Sequence, residues 1–390
     1  MTEWRQFKLK DILEPDGYIR GPFGSSLRRG ELKNEGIPVY EQEHAIKGIR
    51  KFRYYIDQNK FNELKRFCVK TGDIIISCSG TVGEVSVIKE EDPKGIISQA
   101  LLILRADKNV AYQPFLKYFL MSPYGKSSIT SRSDGSVQVN IAKRQVIENI
   151  DILLPPLPEQ KAIAEVLSSL DDKIDLLTRQ NKTLEDLAQA YFRKWFIEDA
   201  SDKWEEKGLD EIADFLNGLP LQKYPYKTGN PLHVIKIKEL NNGFTDSSDL
   251  CSADIPEQYI VHPGDVIFSW SGSLKVDIWK YGKGALNQHL FKVTSRYYPK
   301  WFYYFWIKYH LPEFKMIAES KATTMGHIQR KDLSNAIVLV PDGQELNFID
   351  NIMSPLIEKI EHNNAQVLVL QKLRDTLLPK LISGEIRVKI

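Results

Sequence analysis

The sequence predicts an α+β protein in which two duplicated mixed α/β globular segments are separated by two long antiparallel helices with pseudo-twofold symmetry. Three observations predict it. Residues 155–197 begin with prolines and then set Ile163, Leu167, Leu170, Ile174, Leu177, Asn181, Leu184, Ala188, Tyr191 and Trp195 in a strict 4,3 alternation. That is a heptad seam, the pattern of a long helix packed along one partner. The alternation returns 186 residues later as Ile349, Met353, Leu356, Ile360, Asn363, Val367, Leu370, Arg374, Leu377 and Leu381. Finally, the residues ahead of each seam repeat one order of motifs, as an internal duplication does.

Taken in order, residues 1–155 form the first globular segment and 156–199 the central helix. Residues 200–342 form the second segment and 343–390 the distal helix. The first segment opens with Trp4 to Ile12, then a loop rich in Gly and basic residues from Arg20 to Gly30. Ile37 to Tyr40 reads as a short strand. The turn Lys70-Thr71-Gly72-Asp73 leads into Ile74 to Ser77, an unbroken apolar run expected to be buried on both faces. Ser79 to Gly83 is a second turn, before a strand at Val85 to Ile88. Leu101 to Leu104 is another apolar strand, and Tyr112 to Leu120 has helical spacing. Ser131 to Gln138 is a polar loop, and Val146 to Leu154 has a strand pattern.

The second segment repeats this order. Trp204 to Ile212 matches Trp4 to Ile12, Pro263 to Ser273 matches Thr71 to Thr81, and Asn287 to Leu290 matches Ser98 to Leu101. Trp301 to Ile307 replaces the first aromatic helix, and Gly326 to Lys331 stands where Val139 to Arg144 did. Both aromatic helices are expected to be core. The distal helix meets Pro379 and ends at Ser383-Gly384.

End-aligned antiparallel pairing of the seams would set Ile163 against Leu381, Ile174 against Leu370 and Asn181 against Asn363. Two buried amides that meet can satisfy each other, whereas either one facing leucine would be costly. Asn181 and Asn363 are therefore the residues expected to set the helix register. Arg374 would face Leu170, where only its charged end could reach water. Helices of about 37 residues span about 55 Å, long enough to act as a ruler between two binding segments.

A chain of 390 residues is long enough for two to four domains, and 42% hydrophobic residues suffice for buried cores. Cys68, Cys78 and Cys251 stand far apart, without metal or redox spacing. No run of apolar residues is long enough to span a membrane, and residues 1–10 lack a signal-peptide core; a cytoplasmic location is expected. Net charge is +2, which gives no overall basic footprint. Residues 1–155 nevertheless carry 24 basic against 19 acidic side chains, while 156–199 and its flank are acidic and the rest is balanced. The first segment can accept a polyanion.

No catalytic constellation is present. Leu154-Pro155-Pro156-Leu157 lacks the amide and aromatic residue of an amine methyltransferase motif. Tyr124 to Ser128 lacks the first glycine of a phosphate loop. The Glu-Leu-Lys triplets at 31–33 and 63–65 have no strand context. No metal or cofactor is expected.

The assembled pattern resembles the specificity subunit of a type I restriction–modification system. The residues that carry it are GDIIIS and SGTVG with GDVIFSWSGS, SQALLIL with NQHLFKV, GSVQVNIAK with GHIQRKDL, then LPPLPEQKAIA and LRDTLLPKLISGEIRV. Two departures, Leu274-Lys275-Val276 for Val82-Gly83-Glu84 and Pro341 to Glu345 for LPPLPEQ, touch loop shapes. The resemblance implies a non-enzymatic subunit whose globular segments are target-recognition domains, each reading half of a bipartite, asymmetric site in double-stranded DNA. It implies helices that space them and dock two methyltransferase subunits, with motor-nuclease subunits joining for cleavage. The competing readings are a duplicated coiled-coil scaffold that binds only proteins, and an enzyme with unrecognised motifs.

Bases are read by Arg or Lys on guanine and Asn or Gln on adenine, while phosphates take Ser, Thr, Lys and backbone amides. The candidates lie in Gly/Ser loops that follow buried strands. In the first segment they are Arg20, Ser25, Arg28, Arg29, Ser79, Thr81, Gln99, Gln138, Asn140 and Lys143. In the second they are Lys223, Lys227, Ser271, Ser273, Lys275, Gln288, His289, His327, Gln329 and Arg330. Tyr191, Phe192, Trp195 and Phe196 end the first seam as an apolar cluster, a candidate surface for a partner subunit.

Overall fold

The computed structural model describes residues 3–23, 26–132, 139–320 and 326–389. The chain forms two compact units. The first comprises residues 1–172 with 371–390, and the second residues 173–370. The boundary crosses both long helices, Leu157–Arg193 and Gly343–Ser383, so each unit holds one globular segment and a part of each helix.

The first unit is built on a four-stranded antiparallel sheet in the order Leu13–Arg20, Leu101–Ala106, Ile74–Ser77, Val85–Val87. Alternation along the central strand explains its unbroken apolar run. Ile74 and Ile76 face one cluster with Phe115, Phe119 and the helix residues Ile163 and Leu167, whereas Ile75 faces another with Tyr40, Val69 and Ile97. All three isoleucines are fully buried. A three-stranded sheet, Tyr55–Ile56, Ile37–Tyr40, Ile96–Ile97, lies beyond, and its last pair is parallel. Arg5–Lys8 pairs antiparallel with Asp151–Leu154, tying the start of the segment to its end.

The second unit has the same plan. Its four-stranded sheet runs Asp214–Asn217, Leu290–Thr294, Val266–Ser269, Lys275–Ile278. Val266 and Phe268 face the aromatic core and Ile267 the opposite cluster. The second sheet again contains a parallel pair, Leu232–Ile235 with Gly284–Leu286, and Glu205–Gly208 closes onto Ile337–Val340.

The aromatic segments are helices Gln113–Met121 and Lys300–Ser320. Trp301 to Ile307 are all buried, which makes that run core. One expected strand is corrected. Residues 144–148 form a helical turn held by an Arg144–Glu148 ion pair at 2.7 Å, with Val146 exposed, and the strand is only Asp151–Leu154. The spacing of apolar residues at 146–154 is shared by a short helix and a strand, and four-residue separation of opposite charges favours the helix.

Within the first unit the start of one long helix packs on the end of the other, with Ile163 and Leu167 clustering with Leu378, Leu381 and Ile382. Within the second, Ala188 and Phe192 cluster with Ile349, Met353 and Ile357. No residue of either seam is exposed. Asn363 Nδ2 donates to Asn181 Oδ1 at 2.8 Å and to Gln180 Oε1 at 2.9 Å, and Asn181 Nδ2 donates to Asn364 Oδ1 at 2.8 Å. Asn363 is completely buried. Arg374 does not snorkel; it donates to Asp171 Oδ1 at 3.0 Å.

Asp171 also accepts from Lys117 Nζ at 2.9 Å and Tyr118 OH at 2.7 Å, both on the aromatic helix of the first unit. Burial raises its affinity for a proton, but the Lys117 charge and these hydrogen bonds outweigh it and hold the carboxyl below its usual range. Glu185 does the same in the second unit. It accepts from Tyr304 OH at 2.9 Å and Lys308 Nζ at 2.7 Å, and the balance of burial against those partners again lowers its pKa. In each unit one carboxylate of the long helix thus ties down the aromatic helix. The final helix ends at Ser383, where Gly384 takes φ +77°.

Candidate nucleic-acid interface

In both units most of the described candidate residues gather at the end of the four-stranded sheet where the central strand exits. Register makes the two units comparable residue by residue. Ile76 pairs with Leu102 and Phe268 with Phe291; Leu102 pairs with Arg20 and Phe291 with Asn217. Arg20 and Asn217 are therefore equivalent, and Cys78 and Trp270 follow equivalent strands.

Glycine shapes both exits. Gly80 and Gly272 stand at matching places with φ +64° and +66°, a conformation that side chains with a Cβ resist. Gly21 and Gly218 allow the outer strand to pass close to the next loop. A Cβ on Gly21 would lie 1.9 Å from the Ser98 carbonyl oxygen, and one on Gly218 would lie 2.3 Å from that of Asn287. Main-chain bonds finish the face: Ile141 N donates to Cys78 O, and Ile328 N to Trp270 O at 3.1 Å.

The side chains differ sharply. In the second unit Trp270 Nε1 donates to Asn217 Oδ1 at 2.9 Å, and its ring lies 6.0 Å from His289 and 6.2 Å from His327. Ser271 Oγ is 3.1 Å from His289 Nδ1, and Gln288 Nε2 is 3.3 Å from His289 Nε2. Arg330 Nη2 donates to the Phe215 carbonyl at 3.3 Å. The structure therefore brings Ser271, Gln288, His289 and His327 together around a tryptophan, with Arg330 held at the Phe215 carbonyl of the outer strand. Ser271 is itself buried and acts by orienting His289.

In the first unit Arg20 lies beside the buried Cys78, and its guanidinium carbon is 5.5 Å from the exposed Phe23 ring. Burial pushes the Cys78 thiol up to about 12, with Arg20 acting in the opposite direction. Ser79 Oγ donates to Gln42 Oε1 at 3.0 Å. Thr81, Gln99, Asn140 and Lys143 are exposed around this edge, and Arg144 lies over the Tyr18 ring at 4.8 Å. Arg28 and Arg29 are exposed on the adjoining loop. Ser25 and Gln138 lie outside the described residues.

Several expectations are corrected or placed elsewhere. Lys275 sits on strand Lys275–Ile278 with Nζ bonded to the Leu240 carbonyl at 3.1 Å and Asp277 at 2.9 Å, so it is held away from the exit loops. Lys223 and Lys227 are exposed but make no contact with the tryptophan group among the described residues. Ser273 is exposed, and Gln329 caps the helical turn Arg330–Ser334. Phe192 and Phe196 are buried in the core of the second unit and cannot form a partner surface; their spacing puts them on the core side of the helix. Tyr191 and Trp195, stacked at 4.9 Å, remain half exposed. Asn217, Trp270 and Gln42 were missed as site residues. Asn217-Gly218 could have been found from its match to Arg20-Gly21, since each pair precedes a loop and follows the outer strand.

Among the described residues no helix is long and apolar enough to cross a membrane, and no group of three His, Cys, Asp or Glu side chains is placed to hold a metal.

Two sheets of one plan, each presenting polar loops at the same end, define a duplicated recognition protein. The type I restriction modification DNA specificity domain family matches this chain twice, over residues 1–186 and 201–370, and the chain belongs to that family. It is 28% identical to the MjaIX type I restriction enzyme specificity subunit of Methanocaldococcus jannaschii, over 99% of this chain and 94% of that one. It is 23% identical to the EcoKI specificity subunit of Escherichia coli, over 95% and 90%. The fold resembles the crystal structure of the type I restriction–modification S subunit from M. genitalium, with TM-score 0.58 and 17% identity over 97% and 96% of the chains.

Proposed function

We propose that the chain is the non-catalytic, sequence-reading component of a cytoplasmic type I restriction–modification complex. Residues 1–155 and 200–342 act as two target-recognition domains, each reading one half of a bipartite, asymmetric site in double-stranded DNA. Residues 156–199 and 343–390 act as spacer helices whose register Asn181 and Asn363 set. The helices also dock two methyltransferase subunits, and motor-nuclease subunits join that assembly; Tyr191 and Trp195 suit such a contact. The chain itself takes no cofactor.

The observation that carries this reading is the pair of equivalent loop faces with unlike side chains, Arg20 and Cys78 against Asn217 and Trp270. Equal scaffolds with different readers suit two different half-sequences. Arg28, Arg29, Lys143, Lys223 and Lys227 suit phosphate contacts, which position the duplex without specifying it.

The test is selection from a random duplex pool, with and without methyltransferase subunits. The expected product is a split motif with a fixed gap, bound with steep salt dependence. Absence of any split motif, or turnover of DNA by the purified chain alone, would overturn the reading.

A further inference from the structure

We propose that the first unit carries a second binding site, a cleft for an organic polyphosphate of nucleotide size, separate from the DNA-reading loops. The cleft has a volume of about 870 Å³, within the range of small-molecule sites. It lies at the opposite end of the four-stranded sheet. Lys70 and Thr71, which line it, precede strand Ile74–Ser77, whereas Ser79 and Thr81 follow that strand. Arg105 lines it near the end of strand Leu101–Ala106, whereas Gln99 precedes that strand.

Its floor is apolar. Ile19, Phe61, Val69 and Ile88 line it and are each buried, and burial keeps the Cys68 thiol above its usual range and hence neutral. Its rim is cationic. Lys65, Arg66, Lys70 and Lys94 line it, all exposed and none in an ion pair among the described residues. Lys94 is held over the Phe61 ring, with Nζ 5.2 Å from the ring centroid. The other charged lining groups are largely neutralised. Arg105 is clamped by Asp73 through bonds of 2.6 and 2.8 Å, and Asp92 pairs with Arg50 at 2.8 Å. Asp16 alone adds an uncompensated negative charge. Four cations without a carboxylate partner, one of them seated over Phe61, around an apolar floor match a ligand with several negative charges and a compact apolar body.

The second unit keeps one of the four cations, Lys283 in the place of Lys94, and lacks the other three. Glu257, Gln258 and His262 stand where Lys65, Arg66 and Lys70 do, and the buried Trp279 replaces Ile88. A device for holding the duplex in both units would be duplicated with them, so the asymmetry argues for a separate ligand.

Calorimetric titration of the full chain with ATP, tripolyphosphate and adenosine tests this. ATP should bind saturably, one per chain, and more tightly than either fragment. The double change Lys65→Glu with Arg66→Glu should weaken it by about tenfold or more, and so should Lys70→Glu. Lys283→Glu, on the second unit, should leave it unchanged, and circular dichroism checks that each variant is folded. Unaltered ATP binding in the folded Lys65/Arg66 and Lys70 variants would overturn the site. Tripolyphosphate or adenosine binding as tightly as ATP would overturn the ligand class. Displacement of ATP by a random-sequence duplex would place the cleft on the DNA path and overturn its separateness.

Discussion

The exit loops of the first unit and those of the second are mounted on one scaffold and furnished differently. At the first, an arginine lies beside a buried thiol and four exposed polar side chains stand around it. At the second, a tryptophan gathers an asparagine, two imidazoles, a glutamine and a serine through short contacts. The backbone devices are shared: matching left-handed glycines, matching close approaches at Gly21 and Gly218, and matching strand register. What differs between the units is therefore what an individual side chain can change without disturbing the fold. A recognition protein needs that separation between a fixed frame and variable readers.

The comparison extends to how each aromatic helix is held, and there the largest effects are expected. Asp171 has three partners on two other elements and Glu185 has two on one. Asp171→Asn should cost about 3 kcal/mol at neutral pH, since it leaves the partly buried Lys117 unpaired and leaves Arg374 with Asp375 alone, and Glu185→Gln should cost less. Denaturant titration of each variant checks the order; a larger loss for Glu185→Gln would break the comparison. The pH dependence has a fixed sign. Both carboxyls are held below their usual values when folded. Their contribution is complete above the unfolded carboxylate pKa and is lost as pH falls through the lowered folded value. Stability curves of the two variants should therefore converge on that of the parent chain in acid.

Next comes Trp270→Ala, which should weaken binding to a full selected site by about 1–3 kcal/mol and relax base preference in one half-sequence only. Cys78→Ala, its counterpart, should affect binding by well under that amount, because the thiol is buried and inert. Repeating the duplex selection with both variants reads this directly. Relaxed preference in both halves, or in neither, would contradict the assignment of one unit to each half.

A smaller effect is expected at the paired amides. Asn181→Leu and Asn363→Leu should each destabilise, and the double change should cost about 1 kcal/mol less than their sum. Simple additivity in a double-mutant cycle would show that the hydrogen bond between them does not set the register. The smallest effect concerns phosphate contacts. Replacing Arg28 or Lys223 by Ala should lower the salt dependence of binding by about one unit of slope each and leave base preference intact.

Much of this was legible in the sequence because it depended on periodicity. The heptad seams, the two-faced burial of Ile74 to Ile76 and the core role of Trp301 to Ile307 follow from spacing and hydrophobicity alone. The meeting of Asn181 with Asn363 needed only an end-aligned pairing. What periodicity does not carry was missed. The apolar spacing at 146–154 points to strand, but the Arg144–Glu148 charge spacing decides for a helical turn. Arg374 meets Asp171, a carboxylate outside the seam that Lys117 and Tyr118 share. The Trp270 group joins four separate stretches of chain, and no local pattern announces a contact of that kind. The neighbours of Lys275 match a glycine turn of the first unit, but in this unit the strand begins there.

The offset amides have one more consequence. In each seam the asparagine stands off-centre, and the two seams are not polar at matching steps. Were the first helix to pair end to end with its own copy in another chain, Asn181 would face Leu177. Were the distal helix to do so, Asn363 would face Val367. Each mispairing would bury an amide against hydrocarbon. The duplicated halves have thus ceased to be interchangeable. Each helix discriminates against its own likeness and is completed by the other kind, so a molecule that arose by repetition disfavours pairing between like halves.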